Sequence, residues 1–244
     1  MDDFFTFYGD LLGIASAYRL GAKAAYDKLD TFYNTVFGRL EALCNQQRSG
    51  IHVQMFSDSV VIWGRGTRRI LEELQKVYLD LFGKNLLLRG AIVDGRLEKE
   101  PRVEVRNFRK FLPTNDTLAR AVGLEKTVKG ARLLIEPQVA QRLLGNEAEW
   151  LTVEGYLDHQ YPNVATTDIR RRICPTPSGN SHELLYFWPP SDVDWGGSTY
   201  GMVETRLKEL AEFHDPLVAE HLRETVKLVR RSELRERATR RWPV

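Results

Sequence analysis

Two aspartates have the type and setting to do chemistry. Asp10 closes the run Phe4-Phe5-Thr6-Phe7-Tyr8-Gly9, and Asp58 sits in Phe56-Ser57-Asp58-Ser59. Taken singly, each reads as a strand-end cap or an ordinary hairpin aspartate. Side by side they repel unless a cation lies between them. Carboxylates with no histidine or cysteine nearby favour hard ions such as Mg²⁺ or Mn²⁺. Two such ions about 3.5–4 Å apart serve an in-line phosphoryl displacement, a reaction in which the protein mainly positions groups and neutralises charge. The chain has no P-loop pattern and no G-x-G-x-x-G, so the usual phosphate cradles do not account for a nucleotide site.

The elements around them explain how residues 48 positions apart (58 minus 10) would meet. The spacing predicts a strand over Phe4–Tyr8 ending at Gly9-Asp10, then a long amphipathic helix, or two in sequence, from Ile14 to Leu43. Ile51, Val53 and Met55 alternate with His52 and Gln54. Asp58 follows at the tip of a hairpin whose returning strand is Val60–Trp63. A helix runs from Thr67, a candidate N-cap, to Gly83, and Leu86–Val93 is the next strand. A ribbon is expected around Val103 and Val105. Asn115 or Asp116 caps a helix stopping at Gly130; Leu133–Ile135 is a strand, and Pro137 opens another helix. Prolines break up residues 145–200 and leave one strand at Leu184–Trp188. A helical pattern interrupted near Pro216 fills 199–238. The order is a ferredoxin-like βαββαβ core of mixed α/β (α+β) class, with further strands and C-terminal helices. A right-handed helical crossover makes strands one and two parallel, with strand three returning between them. Asp10 and Asp58 then fall at one edge of the sheet. The expected division is a catalytic domain over residues 1–198, with its core at about 3–145, and a C-terminal helical extension over 199–244.

The chain has 244 residues with 43% hydrophobic and 28% charged side chains, enough for one large domain. A net charge of +2 gives no reason to expect nucleic acid or membrane binding. Arg230, Arg231, Arg235, Arg237, Arg240 and Arg241 crowd the C-terminus; they read as a solvated helix end or as a surface for an acidic partner. Cys44 and Cys174 form no C-x-x-C pair, which argues against a zinc site and a disulfide framework. Met1-Asp2-Asp3 is acidic where a secretory signal would be basic, and no apolar run reaches the roughly 20 residues of a membrane span. A cytoplasmic location is expected.

At this point the sequence resembles the class III adenylate and guanylate cyclase domain over roughly residues 3 to 145. The residues that carry the resemblance are Asp10-Leu11-Leu12-Gly13, Phe56-Ser57-Asp58-Ser59, Arg89-Gly90-Ala91-Ile92-Val93-Asp94-Gly95, and Leu124-Glu125-Lys126 leading to Gly130-Ala131-Arg132-Leu133-Leu134-Ile135. The resemblance implies two Mg²⁺ or Mn²⁺ ions on Asp10 and Asp58 with help from the Leu11 carbonyl, and a homodimer with sites at the interface. It departs from purine cyclases at Gln54, where they usually carry Lys or Glu. It departs again at Leu118 and Val122, where they place an Asn and an Arg; Asn115 and Arg120 are the nearby candidates. Those departures are similar to the pyrimidine cyclases of bacterial anti-phage (Pycsar) defence. This implies conversion of UTP, or CTP, to the 3′,5′-cyclic monophosphate, with a separate effector that senses the product. Gln54 and Arg89 would contact base or triphosphate, and Lys129 a phosphate of the partner's substrate. His52, Trp63 and Trp188 read as structural. A purine cyclase and a ferredoxin-like module that senses nucleotides without turnover are the competing readings. A diguanylate cyclase is disfavoured, since its Gly-Gly-acid-acid hairpin does not match Phe56–Ser59.

Overall fold

The structure, a computed structural model, describes residues 3–46, 50–100, 111–145, 168–188, 199–212 and 215–240. The first strand, β1 (Phe4–Leu11), alternates strictly: Phe5 and Phe7 are fully buried on one face, while Thr6, Tyr8 and Asp10 lie on the other. It runs three residues beyond the expected end at Tyr8, so Asp10 is a strand residue rather than a cap after the strand. Gly21, at φ 134, splits the following helical run into α1 (Ile14–Leu20) and α2 (Ala22–Cys44). β2 (His52–Phe56) and β3 (Ser59–Arg65) form the expected hairpin around Ser57-Asp58. Ser57 takes the positive φ of 48 that the two-residue turn requires. Next come α3 (Thr67–Gly83), β4 (Leu88–Asp94), α4 (Thr117–Glu125), β5 (Leu133–Ile135) and α5 (Pro137–Leu144).

Thr67 is the first residue of α3 rather than its cap. The Asp3 carboxylate does the capping, accepting from both the Thr67 amide and the Thr67 hydroxyl. Helix α4 ends at Glu125, five residues before Gly130. Beyond α5, the expected strand at Leu184–Trp188 is displaced. A short 3₁₀ turn (Ile169–Arg172) leads into β6 (Ile173–Pro175), and β7 (His182–Leu184) pairs with it; residues 185–188 leave the sheet. Expectations for Val103, Val105 and much of 145–200 lie outside the described residues. α6 (Tyr200–Glu212) and α7 (Pro216–Arg240) break at Pro216 as expected.

Among the described residues, seven strands form one sheet in the order β2-β3-β1-β4-β5-β7-β6. β1 is antiparallel to both β3 and β4, and β3 is antiparallel to β2, so β1 and β2 are parallel with β3 between them. One face of the sheet is covered by a core that includes Phe5, Ile62, Ile92 and Leu133 from strands and Phe32 and Leu74 from helices. Val203 and Leu207 of α6 and Leu222, Val226 and Val229 of α7 belong to that same core. The other face carries a smaller cluster of Val61, Trp63 and Leu97, with Tyr8, Phe111 and Leu118 against it. No helix among the described residues is long and apolar enough to cross a membrane.

Two of the crowded C-terminal arginines, Arg231 and Arg235, are internal, while Arg230 and Arg237 stay exposed as expected of a solvated helix face. Arg235 is fully buried, Arg231 pairs with the buried Glu183 that also holds Arg132, and Arg230 pairs with Glu204.

Candidate active site

Antiparallel pairing puts three residues in a row across the sheet: Ser59 on β3, Asp10 on β1 and Arg89 on β4. The rows stay close because the next pair toward the centre is Gly9 against Gly90. A Cβ on Gly90 would come within 2.6 Å of the Tyr8 carbonyl and 2.7 Å of the Phe7 ring, which lies over both glycines. The hairpin tip closes the row at its end, where the Leu11 amide donates to the Asp58 carbonyl at 2.8 Å. The two aspartates, 48 residues apart in sequence (58 minus 10), are thereby neighbours at one sheet edge.

Each Asp10 oxygen has a partner. The Ser59 hydroxyl donates to Oδ1 at 3.2 Å, and Arg89 Nη2 lies 3.0 Å from Oδ2. The Ser59 hydroxyl also shares a hydrogen bond with the Tyr8 phenol. Burial raises the Tyr8 phenol above its ordinary value, and the negative charges of Asp10, Glu125 and Asp58 raise it further, offsetting the bond to Ser59. Arg89 reaches a second carboxylate through Nε, 2.5 Å from Glu125 Oε1. Glu125 is the last residue of α4 and its side chain is 1% exposed. Burial pushes its carboxyl up, with the Asp10 charge acting in the same direction and Arg89 against it.

The loop between α4 and β5 is held by α7. The Gly130 amide donates to His221 Nδ1 at 3.0 Å, the Ala131 amide to the Thr225 hydroxyl at 2.9 Å, and Lys129 pairs with Glu220 at 2.6 Å. Val218, near the start of α7, faces Gly13 just after β1. His221 is held below its ordinary pKa by burial first, then by the charges of Arg89 and Lys129.

The candidates read from sequence thus separate into two groups. Asp10, Leu11, Asp58 and Arg89 come together, with Lys129 in the neighbouring loop. Gln54 lies on β2 opposite Val61, on the Tyr8 face of the sheet. Asn115 and Arg120 are elsewhere in the chain: Asn115 bonds the Arg96 carbonyl and the Thr117 hydroxyl, and Arg120 holds Glu136 and the Asp94 carbonyl at the far end of β4. His52 stacks on Trp63 at 5.2 Å, the structural role expected of both. Glu125, Tyr8, Ser59 and His221 were not singled out from sequence. Glu125 entered the sequence reading only within Leu124-Glu125-Lys126; with the helix expected to run to Gly130, its place as a helix-end acid shows only in the structure.

The donor set suits a hard divalent ion: the Asp10 oxygens meet a hydroxyl and a guanidinium, and Asp58 adds a second carboxylate residue at the same edge. No cluster of three or more His, Cys, Asp or Glu side chains is arranged to hold a metal ion among the described residues.

No family model matches the chain, and no curated protein does. Solved structures that it resembles include the guanylate cyclase domain of RhGC from Catenaria anguillulae in complex with GTP, at 13% identity over 59% of this chain and 84% of that one, TM-score 0.44. Another is an adenylate cyclase from Trypanosoma brucei in its monomeric state, at 12% identity over 75% and 88%, TM-score 0.46.

Proposed function

We propose that the chain is a metal-dependent pyrimidine nucleotide cyclase. It would convert UTP, or CTP, to the 3′,5′-cyclic monophosphate: the ribose 3′-oxygen bonds to the α-phosphorus as the bridge to the β-phosphate breaks and pyrophosphate leaves. The observation that carries this reading is the convergence of Asp10 and Asp58 at one sheet edge with Arg89 in the same cross-strand row. Asp10, Asp58 and the Leu11 carbonyl would hold Mg²⁺ or Mn²⁺, as two ions. Such ions neutralise the triphosphate and ease ionisation of the attacking hydroxyl. Arg89, with a planar five-donor head, suits the triphosphate, and Lys129 adds a cation in the adjoining loop. Gln54 presents donor and acceptor together, which fits the edge of a pyrimidine. Asn115 and Arg120, remote from Asp10 in their own chain, enter the reading only by facing the partner's site in a homodimer. A second-messenger role in anti-phage defence, with a separate effector reading the product, completes it.

The test is incubation of the purified protein with ATP, GTP, CTP and UTP separately in Mn²⁺, with products weighed by mass spectrometry. A cyclic pyrimidine monophosphate is expected. A cyclic purine product would keep the cyclase and remove the pyrimidine and defence assignments. Nucleotide binding with no turnover in a dimeric, metal-loaded protein would point to a sensor.

A further inference from the structure

We propose that Arg89 occupies the cation position on Asp10 in the metal-free protein, and that Glu125 is a positioning residue that takes Arg89 over when a metal ion arrives. The proposal rests on the metal reading of Asp10 and Asp58.

The geometry carries it in three steps. First, the guanidinium is shared. Nη2 lies 3.0 Å from Asp10 Oδ2, and Nε 2.5 Å from Glu125 Oε1. A divalent ion on Oδ2 would meet a positive charge at hydrogen-bond distance, so the two cannot hold that oxygen together. Second, Glu125 has capacity to spare. Both of its oxygens are buried without a hydrogen-bond partner among the described residues, and Oε1 meets Arg89 Nε as an ion pair only. A carboxylate accepts Arg through two parallel N–H···O bonds, and the fork is stronger than a single contact. If Nη2 leaves Asp10 for Oε2, Asp10 is freed and a buried acceptor is satisfied in the same motion. Third, Glu125 has little other reason to be there. An acid at the C-terminal residue of α4 opposes the helix dipole, and burial of its charge is compensated by Arg89. Arg89 is therefore anchored on Glu125 and only lent to Asp10. It remains beside the metal edge after the exchange, where an incoming triphosphate would find it.

The experiment reads metal binding alone, with no nucleotide: free Mn²⁺ measured by electron paramagnetic resonance during titration of the full chain. Arg89→Gln should bind Mn²⁺ about fivefold more tightly, the order expected when one competing ion pair is removed. Because Arg89→Gln leaves a buried carboxylate without its partner, the double variant Arg89→Gln/Glu125→Gln is measured beside it and should show the same gain. Glu125→Gln alone should bind more weakly than wild type, since Arg89 then rests wholly on Asp10. Lys126→Gln removes an exposed charge that also bears on Glu125 but touches neither Asp10 oxygen, and should change affinity less than about twofold. Unchanged or weaker affinity in both Arg89 variants, with wild type binding Mn²⁺, overturns the exchange and leaves the metal site standing. A gain in Lys126→Gln equal to that in Arg89→Gln overturns it as well, by assigning the effect to net charge. Absence of Mn²⁺ binding in every variant overturns the metal reading itself, and the proposal with it.

Discussion

Asp10 and Arg89 are Cα partners across antiparallel β1 and β4, and their side chains meet at 3.0 Å on the face of the sheet that also bears Tyr8. The pairing is a consequence of register. A slip of one residue would turn every β4 side chain to the opposite face and send Arg89 into the core. The same register brings Ser59 to the other Asp10 oxygen.

Asp58 lies in a two-residue turn and is partly exposed. Its backbone carbonyl, not its side chain, receives the Leu11 amide. Asp58→Asn is expected to change the free energy of unfolding in urea by no more than about 0.5 kcal/mol. Turnover with saturating Mn²⁺ should fall by more than about 100-fold, beyond the ~10–100-fold typical of changes outside the ligand shell. A folded Asp58→Asn protein with full activity would remove the metal role.

Glu183 is fully buried on β7, between Arg132, just before β5, and Arg231 of α7. Glu183→Ala strands the Arg132 guanidinium, which is 2% exposed, and should cost about 3–5 kcal/mol in chemical denaturation. Glu183→Gln, which keeps an acceptor, should cost less. Equal and small losses in both would show that water reaches the pair.

Acid should weaken the fold partly through His221. Its Nδ1 accepts from Gly130, so a proton there sets two N–H groups against each other. Its folded pKa is depressed by burial and by Arg89 and Lys129, with Glu220 acting the other way. The unfolded chain therefore takes up the proton first as pH falls below about 6.5. Stability from this group is complete above that pH and is lost as pH drops through the folded value. His221→Gln retains an acceptor but does not titrate, and should narrow the gap between unfolding midpoints measured at pH 7.5 and 5.5. His52 and His182, also depressed by burial, should leave a residual slope.

Gly90 has no room for a side chain, because a Cβ would meet the Tyr8 carbonyl, part of the backbone of β1. Gly90→Ala is expected to cost about 1–3 kcal/mol, the range of overpacked cores. It should also lower turnover, since spreading β1 from β4 breaks the cross-strand row that sets Asp10 and Arg89 at one edge. Thermal melts together with the nucleotide assay separate the two effects.

Local patterns were enough for much of the frame. The aromatic-rich run over Phe4–Tyr8, the alternation over Ile51–Met55, the hairpin at Ser57-Asp58, Pro137 as a helix start and Pro216 as a helix break depend on contacts a few residues apart, and these the sequence displays directly. Chain order together with crossover handedness was enough to make β1 and β2 parallel and to bring Asp10 to Asp58. Other features depended on partners far along the chain. Asp3 caps α3 from 64 residues away. Glu125 completes the site because α4 lies against β1 and β4. Arg231 and Arg235, which look like surface charges in a basic tail, are internal because Glu183 and the Arg171 carbonyl meet them from other elements. A residue's type and spacing fix which face of an element it occupies. Whether a charge there meets water or an opposite charge is decided only when the elements pack, since burial and pairing belong to the neighbours as much as to the residue.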